Sequence, residues 1–216
     1  MLDSFLKILP KMLLGSGITL LVAIVGVLAG MVLGLLLALG RISKNAILDK
    51  ISFLYIWLFR GTPLLMQLFF IYYALPLLFP SLTLDKLLAA FIAFSLNSAA
   101  YLAEIIRAAI QSIDKGQMEA SKALGMSYTQ AMRKIIIPQS YRRLIPPVGN
   151  EFIMLLKDTA LVSIIAMEDL MRVTSQYSNA TASPLIYLPS AVLYLIMTTI
   201  FTFFFEKLEK KYSVYE

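Results

Sequence analysis

The stretch Lys115–Gln139, KGQMEASKALGMSYTQAMRKIIIPQ, is the longest polar interruption in an otherwise apolar chain. Asp114 and Gln117 lie three residues apart, as do Ser127 and Gln130, and each pair has the spacing of a helix N-terminal capping box. The pattern therefore predicts two short helices joined by a hinge and presented by a membrane scaffold.

The hinge is predicted at Gly125, where the first helix would end in a left-handed residue. Pro138 lacks a backbone donor, so we expect it to bend or end the second helix. Met118, Ala123 and Leu124 give the first helix a small apolar surface, which fits either membrane lipid or a groove on a partner protein.

The spacing of residues in this stretch also matches a known pattern. The matching residues are Glu119, Ala120, Ser121, Gly125, Ile135 and Pro138. They resemble the EAA loop of ABC importer permeases, with Ser121 in place of the usual last Ala and Ile137 in place of Leu. In that family the loop forms a coupling helix that docks into a groove of the cytoplasmic ATPase. The resemblance implies that role for Glu119, Ala120, Ser121, Leu124, Gly125 and Met126.

The composition indicates a membrane protein. With 59% hydrophobic residues and a mean hydropathy of +0.79, the 216 residues are too apolar for one soluble core. The chain has no Cys and no His, which excludes disulfides, thiol nucleophiles, Cys/His zinc sites and His acid–base catalysis, and we expect no metal site. The net charge of +6 comes from basic residues between apolar spans, which favours membrane orientation over nucleic-acid binding.

We predict an all-α membrane protein in which residues 1–216 form a single transmembrane permease domain. The five predicted spans are Met12–Gly40, Ile51–Leu75, Leu84–Arg107, Val148–Met167 and Leu185–Phe205. Residues 1–16 have the pattern of an external amphipathic segment, and residues 112–146 form the cytoplasmic coupling-helix loop. Within the first span, Gly26, Gly30 and Gly34 predict close helix packing.

The basic residues orient these spans. If the loop after the first span, the EAA loop and the C-terminus share one side, that side has thirteen Lys and Arg residues and the other has four. The positive-inside rule then places the N-terminus outside and the C-terminus in the cytoplasm. The resemblance implies that the membrane is the bacterial plasma (inner) membrane.

Polar side chains within spans are candidates for solute binding, because burying them in lipid is costly. The candidates are Gln67, Asn97, Tyr101, Glu104, Asn150, Glu151, Met154 and Asp158. Helical spacing puts Asn97, Tyr101 and Glu104 on one face, and Glu151, Met154 and Asp158 on another.

The polar side chains on these faces either line a passage for the solute or form ion pairs and hydrogen bonds with one another. For Glu104, pairing with Arg107 one turn later is favoured. For Asn150 and Glu151 the two interpretations are equal. For Lys157 and Asp158 an internal ion pair, or a contact with the segment around Arg60, is favoured.

Three further stretches resemble signature sequences of polar amino-acid permeases. They are FRGTPLL at Phe59–Leu65, AAYLAEIIR at Ala99–Arg107 and LKDTALVS at Leu156–Ser163. Together with the EAA loop, the resemblance covers most of residues 15–210. It implies the five-helix core of a type I ABC importer, a second permease copy in an expected homodimer or in a dimer with a related chain, and an external amino-acid-binding protein. It also implies two ATPase subunits, which would bind ATP and Mg, so no cofactor is expected on this chain.

The function predicted from the sequence is uptake of polar amino acids by alternating access. The carboxylates at membrane depth favour cationic solutes such as arginine, lysine or histidine. The chain lacks a GxxxxGK[ST] phosphate loop, so it is not itself an enzyme and a partner must hydrolyse ATP. An ion-coupled secondary transporter or channel would predict an inverted repeat, which the sequence does not show. An intramembrane enzyme would need a nucleophile, base or metal set, and no such spacing is present.

Overall fold

The computed structural model of the protein describes residues 2–212, and the side chains of residues 7–212. Described residues form helices and connecting loops without a β-strand, which confirms the all-α prediction. The α-helices are α1 (Leu2–Ile42), α2 (Ala46–Gly61), α3 (Leu64–Phe69), α4 (Leu75–Leu78), α5 (Lys86–Gln111), α6 (Lys115–Ala123), α7 (Tyr128–Ala131), α8 (Ile137–Asp158), α9 (Leu170–Thr181) and α10 (Tyr187–Tyr212). Two π-helical segments, Phe70–Ala74 and Met132–Ile136, and three 3₁₀ segments, Pro80–Leu82, Thr159–Ile165 and Pro184–Ile186, join some of them.

Helix α1 packs along α5 through its glycines, as predicted. A Cβ added at Gly30 would lie 2.9 Å from the Cβ of Ser98, and one added at Gly34 would lie 2.9 Å from the carbonyl oxygen of Ala99. Such distances show that the two backbones approach as closely as glycine allows. The core lies where α5 meets α1 and α8, with Phe94 fully buried.

The first helix does not divide at residue 16. α1 begins at Leu2 and continues through Pro10 to Ile42, so the predicted amphipathic segment 1–16 belongs to the same helix as the first span. The position of that segment on the outer membrane surface stays a prediction.

The predicted second span, Ile51–Leu75, is not one helix. α2 ends at Gly61, and the chain turns by 102° before α3 continues the apolar run. Pro63 has an extended backbone and is the N-cap residue directly before α3, where its missing N–H is not needed. The tight turn leaves Arg60 and Gly61, at the end of α2, exposed.

The helix that contains Val148, the predicted start of the fourth span, begins well before it, and the membrane boundary itself stays a prediction. The helix begins at Ile137, passes through Pro146 and Pro147, and ends at Asp158, where a 3₁₀ segment follows. Pro138 also does not end the second helix of the polar stretch. The π-helical turn Met132–Ile136, closed by the Ile137 N–H bonding to the Met132 carbonyl, widens the helix immediately before Pro138.

Judged by length and composition, fewer helices qualify as membrane spans than the five predicted. Among the described residues, Lys7–Ile42, Lys86–Gln111 and Pro184–Tyr212 are long and apolar enough to cross a membrane. The bent pair α2 and α3–α4 raises the number to four if it counts as one span. α8 does not qualify, because polar residues and prolines occupy much of its length. The predicted fourth span, Val148–Met167, therefore stays a prediction, whereas the predicted fifth span lies within Pro184–Tyr212.

Candidate solute site and coupling loop

The bend after α2 is held by two amide side chains. The buried Gln67 Nε2 donates to the carbonyl oxygens of Phe59 (2.9 Å) and Thr62 (3.0 Å), which the helix break leaves without helical partners. The Asn97 Nδ2 on α5 donates to the Gln67 Oε1 over 3.0 Å. Buried backbone groups at a helix break need such partners, so both amides stabilise the bend.

A cavity of about 350 Å³ opens beside this bend, between the end of α2, the middle of α5 and the last turns of α8. Its lining residues are Arg60, Gly61, Thr62, Pro63, Leu64, Asn97, Tyr101, Glu151, Met154, Leu155 and Asp158. We call it the central cavity. Its volume is within the range of small-molecule sites in proteins.

Charges of opposite sign line the central cavity. Glu151 on α8 is only 8% exposed and, among the described residues, forms no ion pair. Asp158 lies two turns further along α8 and is exposed. Arg60 contributes the positive charge from the end of α2, and its guanidinium lies 5.4 Å from the centroid of the Tyr101 ring.

The central cavity brings together five of the eight residues predicted to bind solute. They are Asn97, Tyr101, Glu151, Met154 and Asp158. Gln67 does not line the cavity, but its side chain accepts a hydrogen bond from Asn97, which does. Asn150 is exposed and does not line the cavity. Glu104 lines a neighbouring chamber instead.

The predicted pairing of Glu104 with Arg107 is present. The Arg107 Nε and Nη2 donate to the two carboxylate oxygens of Glu104 over 3.1 and 2.6 Å. Arg60 also lies near Glu104, at 3.9 Å. By contrast, neither Lys157 nor Asp158 takes part in an ion pair within the described residues, and both side chains are exposed.

Arg60 lines the central cavity but is not among the candidates that the sequence offers for solute binding. In the sequence, the segment around Arg60 belongs to the FRGTPLL signature stretch and is a possible contact for Lys157 and Asp158. The available signal was a charged residue directly before a Gly-Thr-Pro break within an apolar span. The direction in which that broken end points depends on the 102° bend, which local sequence patterns do not specify.

The polar stretch folds into the short helix α6 and a second helix that begins with α7, with the predicted hinge between them. Asp114 caps α6 by accepting the Gly116 N–H, without the reciprocal Gln117 bond of a full capping box. Gly125 follows α6 and has a left-handed backbone conformation, with a φ of +79°. Ser127 and Gln130 form a complete capping box at the start of α7.

The loop exposes the large side chains of Leu124 and Tyr128. Leu124 is 83% exposed directly before the hinge, and Glu119 and Ala120 are exposed on α6. Ser121 is buried, and its hydroxyl donates to the Gln117 carbonyl over 2.6 Å. Of the residues assigned to ATPase coupling, Ser121 therefore faces the permease.

Comparison with known proteins identifies the family. Residues 30–214 match the sequence profile of the binding-protein-dependent transport system inner membrane component. The chain belongs to this family. In its amino-acid-transporting relatives, this component is the permease subunit of an ABC importer. A permease of this family works with a cytoplasmic ATPase and a substrate-binding protein.

Two relatives of this inner membrane component illustrate the range of named solutes. The glutamine transport system permease protein GlnP of Escherichia coli strain K12 is 37% identical over 207 residues, covering 95% of this chain and 94% of GlnP. The arginine transport system permease protein ArtQ of Bacillus subtilis strain 168 is 40% identical over 206 residues, covering 94% of this chain and 93% of ArtQ.

Solved structures agree with the family assignment. A chain in the crystal structure of an amino acid ABC transporter with histidines superposes with a TM-score of 0.90 at 37% identity, covering 96% of this chain and 97% of that one. A chain of the inward-facing MetNI methionine ABC transporter superposes with a TM-score of 0.79 at 21% identity, which supports the fold alone.

Proposed function

We propose that this chain is the transmembrane subunit of an ATP-driven importer and that a polar amino acid crosses the membrane through the central cavity. The observation that carries the proposal is the buried Glu151 carboxylate and the Arg60 guanidinium on the walls of one cavity. A zwitterionic solute supplies an ammonium group for the first and a carboxylate for the second. Arginine binds carboxylates through paired N–H donors, which suits the α-carboxylate of an amino acid.

The charge of the cavity favours a cationic amino acid. Glu151 and Asp158 contribute two carboxylates and Arg60 one cation. A cationic amino acid has the complementary set, namely one carboxylate and two positive groups. A buried carboxylate without an ion-pair partner is unfavourable, and a cationic solute group would relieve that cost.

Uptake by the complete transporter tests the solute class. The permease, its ATPase and its binding protein are reconstituted in proteoliposomes, and uptake of labelled arginine and glutamine is measured with and without ATP. Asp158→Asn is expected to lower arginine uptake more than glutamine uptake, because the second carboxylate has a positive partner only in the cationic solute. Glu151→Gln removes the partner of the α-ammonium group and is expected to lower uptake of both solutes about tenfold or more. Lys157→Gln is the control, because Lys157 is exposed and lies outside the cavity lining.

Other outcomes of that assay contradict the proposal. Equal losses for both solutes in Asp158→Asn would refute the cationic preference. Uptake that does not depend on ATP but is lost when an ionophore is added would instead favour an ion-coupled secondary transporter.

The coupling role is assigned to α6 and the hinge, with Leu124 as the contact to the ATPase. An exposed leucine between two capped helices fits a hydrophobic groove on a partner. In a pull-down of the tagged chain from native membranes, Leu124→Asp should lose the ATPase that the wild type retains. Leu82→Asp, at another exposed leucine in the loop between α4 and α5, should retain it.

The proposed orientation of the chain has α6 in the cytoplasm and the loop after α9 on the outer side of the membrane. The chain has no native Cys, so single cysteines report the side of the membrane without a background. In intact cells, Ser183→Cys should react with a membrane-impermeant maleimide, and Ser127→Cys should react only after the cells are opened. The expected homodimer is tested by co-purifying two copies that carry different tags.

A further inference from the structure

A second chamber, of about 490 Å³, lies next to the central cavity between α1, α2 and α5. Arg41, Arg60, Arg107, Glu104, Phe53 and Trp57 are among its lining residues. We call it the arginine chamber. Arg60 and Tyr101 also line the central cavity, so the two spaces are neighbours.

The arginine chamber has an excess of positive charge. Arg41 forms an ion pair with Asp49, and Arg107 pairs with Glu104. Arg60 shares the Glu104 carboxylate, at 3.9 Å, so three guanidinium groups have two carboxylates between them. The Arg41 Nε is buried and has no hydrogen-bond partner among the described residues. The chamber therefore retains donors and one net positive charge for an anion.

The rim of the chamber is aromatic and exposed. Phe53 is 54% exposed and Trp57 is 62% exposed, one turn apart on α2. The Arg41 guanidinium lies 5.3 Å from the centroid of the Phe53 ring. Arg41 lies in the last turn of α1, and Arg107 lies one turn before the end of α5, so the chamber is at the ends of these helices. Tryptophan beside basic residues is typical of the boundary between acyl chains and headgroups.

We propose that the arginine chamber binds the phosphate of an anionic phospholipid headgroup. Guanidinium groups bind phosphate oxygens through paired N–H donors, and basic pockets between transmembrane helices are suited to anionic headgroups. A free phosphate ion would share this chemistry but would leave the apolar rim unused. The acyl chains of a lipid would cover Phe53 and Trp57. This site shares Arg60 and Tyr101 with the central cavity, but the phosphate would lie at Arg41 and Arg107, which do not line that cavity.

Trp57 provides a direct probe, because it is the only tryptophan of the chain. The full-length chain is reconstituted in phosphatidylcholine vesicles that contain equal small fractions of either brominated phosphatidylglycerol or brominated phosphatidylcholine. Bromine on the acyl chains quenches indole fluorescence on contact. We expect the wild type to prefer phosphatidylglycerol at Trp57 by about fivefold, the effect of one basic residue near an anionic lipid surface.

Variants separate the chamber from general surface charge. Arg41→Gln and Arg107→Gln should each bring the preference to about parity. Lys44→Gln and Lys50→Gln remove the same charge nearby, outside the chamber lining, and should leave the preference unchanged. Arg41→Lys retains the charge and shows whether the chamber still forms, by restoring part of the preference.

The remaining outcomes overturn the proposal. Equal quenching by the two brominated lipids means that no anionic lipid is selected. Loss of the preference in the lysine variants as well means general surface electrostatics. Relief of quenching by millimolar inorganic phosphate identifies a free anion as the ligand, and absence of quenching by either lipid means that a second permease copy covers Trp57.

Discussion

The side-chain amide of Asn97 on α5 donates a hydrogen bond to the Oε1 of Gln67 on α3, over 3.0 Å. Gln67 uses its own amide protons for the backbone carbonyls of Phe59 and Thr62 at the bend. The lining of the central cavity therefore depends on a residue that does not face it. Arg60 is positioned by the same bend, since it is the residue before Gly61 at the end of α2.

Replacing Gln67 with Leu should destabilise the protein. The change removes the 3.0 Å partner of the Asn97 amide, which keeps only a 3.4 Å bond to the Phe59 carbonyl, and takes the amide donor from the Thr62 carbonyl. The cost of a buried unsatisfied group is about 1–3 kcal/mol. The measurement is the thermal unfolding midpoint of the purified chain in detergent. Gln139→Leu is the control, because Gln139 makes only an exposed 3.3 Å hydrogen bond to Gln117. Equal midpoints for the two variants would show that the bend does not depend on Gln67.

The packing of α1 on α5 predicts a size-dependent loss at Gly30. Gly30→Ala should lower stability by about 1–3 kcal/mol, because the new Cβ would lie 2.9 Å from the Ser98 Cβ, and Gly30→Val should cost more. Gly17 lies on the same helix, and a Cβ there would have no neighbour within 4 Å. Gly17→Ala should therefore be neutral or slightly stabilising in the same unfolding assay. Similar losses at both glycines would contradict the close approach.

The hinge predicts a backbone effect at Gly125. Its φ of +79° favours glycine, so Gly125→Ala should strain the link between α6 and α7 by about 1–2 kcal/mol. Space is not the cause, because a Cβ at Gly125 would have no neighbour within 4 Å. We expect reduced ATP-dependent uptake by the assembled transporter with the permease still inserted. Gly125→Asn should restore part of the activity, since Asn tolerates left-handed conformations, and equal activity of all three proteins would refute the strain.

Local sequence patterns were sufficient to predict the hinge at Gly125, but not that the second helix continues past Pro138. The Ser127–Gln130 capping box and the left-handed Gly125 involve residues within a few positions, so their spacing specifies them. Pro138 was predicted to bend or end its helix, but the preceding π-helical turn lets the helix continue into α8. A π-helical turn leaves no distinct residue signature in this chain.

The same distinction applies to the central cavity. Helical periodicity was sufficient to place Asn97 with Tyr101 and Glu151 with Asp158, because each pair shares one face of a regular helix. Arg60 reaches the cavity only because α2 ends and the chain turns there. Periodicity does not describe the side chains at the end of a broken helix, so this residue required the tertiary structure.

The buried cap of α9 predicts a dependence of stability on pH. Asp169 lies in the loop before α9 and accepts the N–H groups of Met171 (3.0 Å) and Arg172 (2.9 Å). Burial raises the pKa of Asp169 to about 6, from an ordinary value of 3.8; neighbouring Glu168 adds to the rise, and the backbone N–H bonds oppose it. Between these two values the native state holds the proton more tightly than the unfolded chain. Stability from this group should therefore fall as the pH rises from about 4 to about 6.

Asp169→Asn should flatten that dependence, because the amide does not titrate and retains one oxygen to accept an N–H. The measurement is the unfolding midpoint in detergent at a series of pH values from about 4 to about 7. Asp85→Asn is the matched control, since Asp85 caps α5 through two similar hydrogen bonds, of 2.9 and 3.0 Å, but is exposed. The wild type and Asp85→Asn should share one slope, and Asp169→Asn should differ from both. If all three slopes coincide, the titrating group in this range is not Asp169.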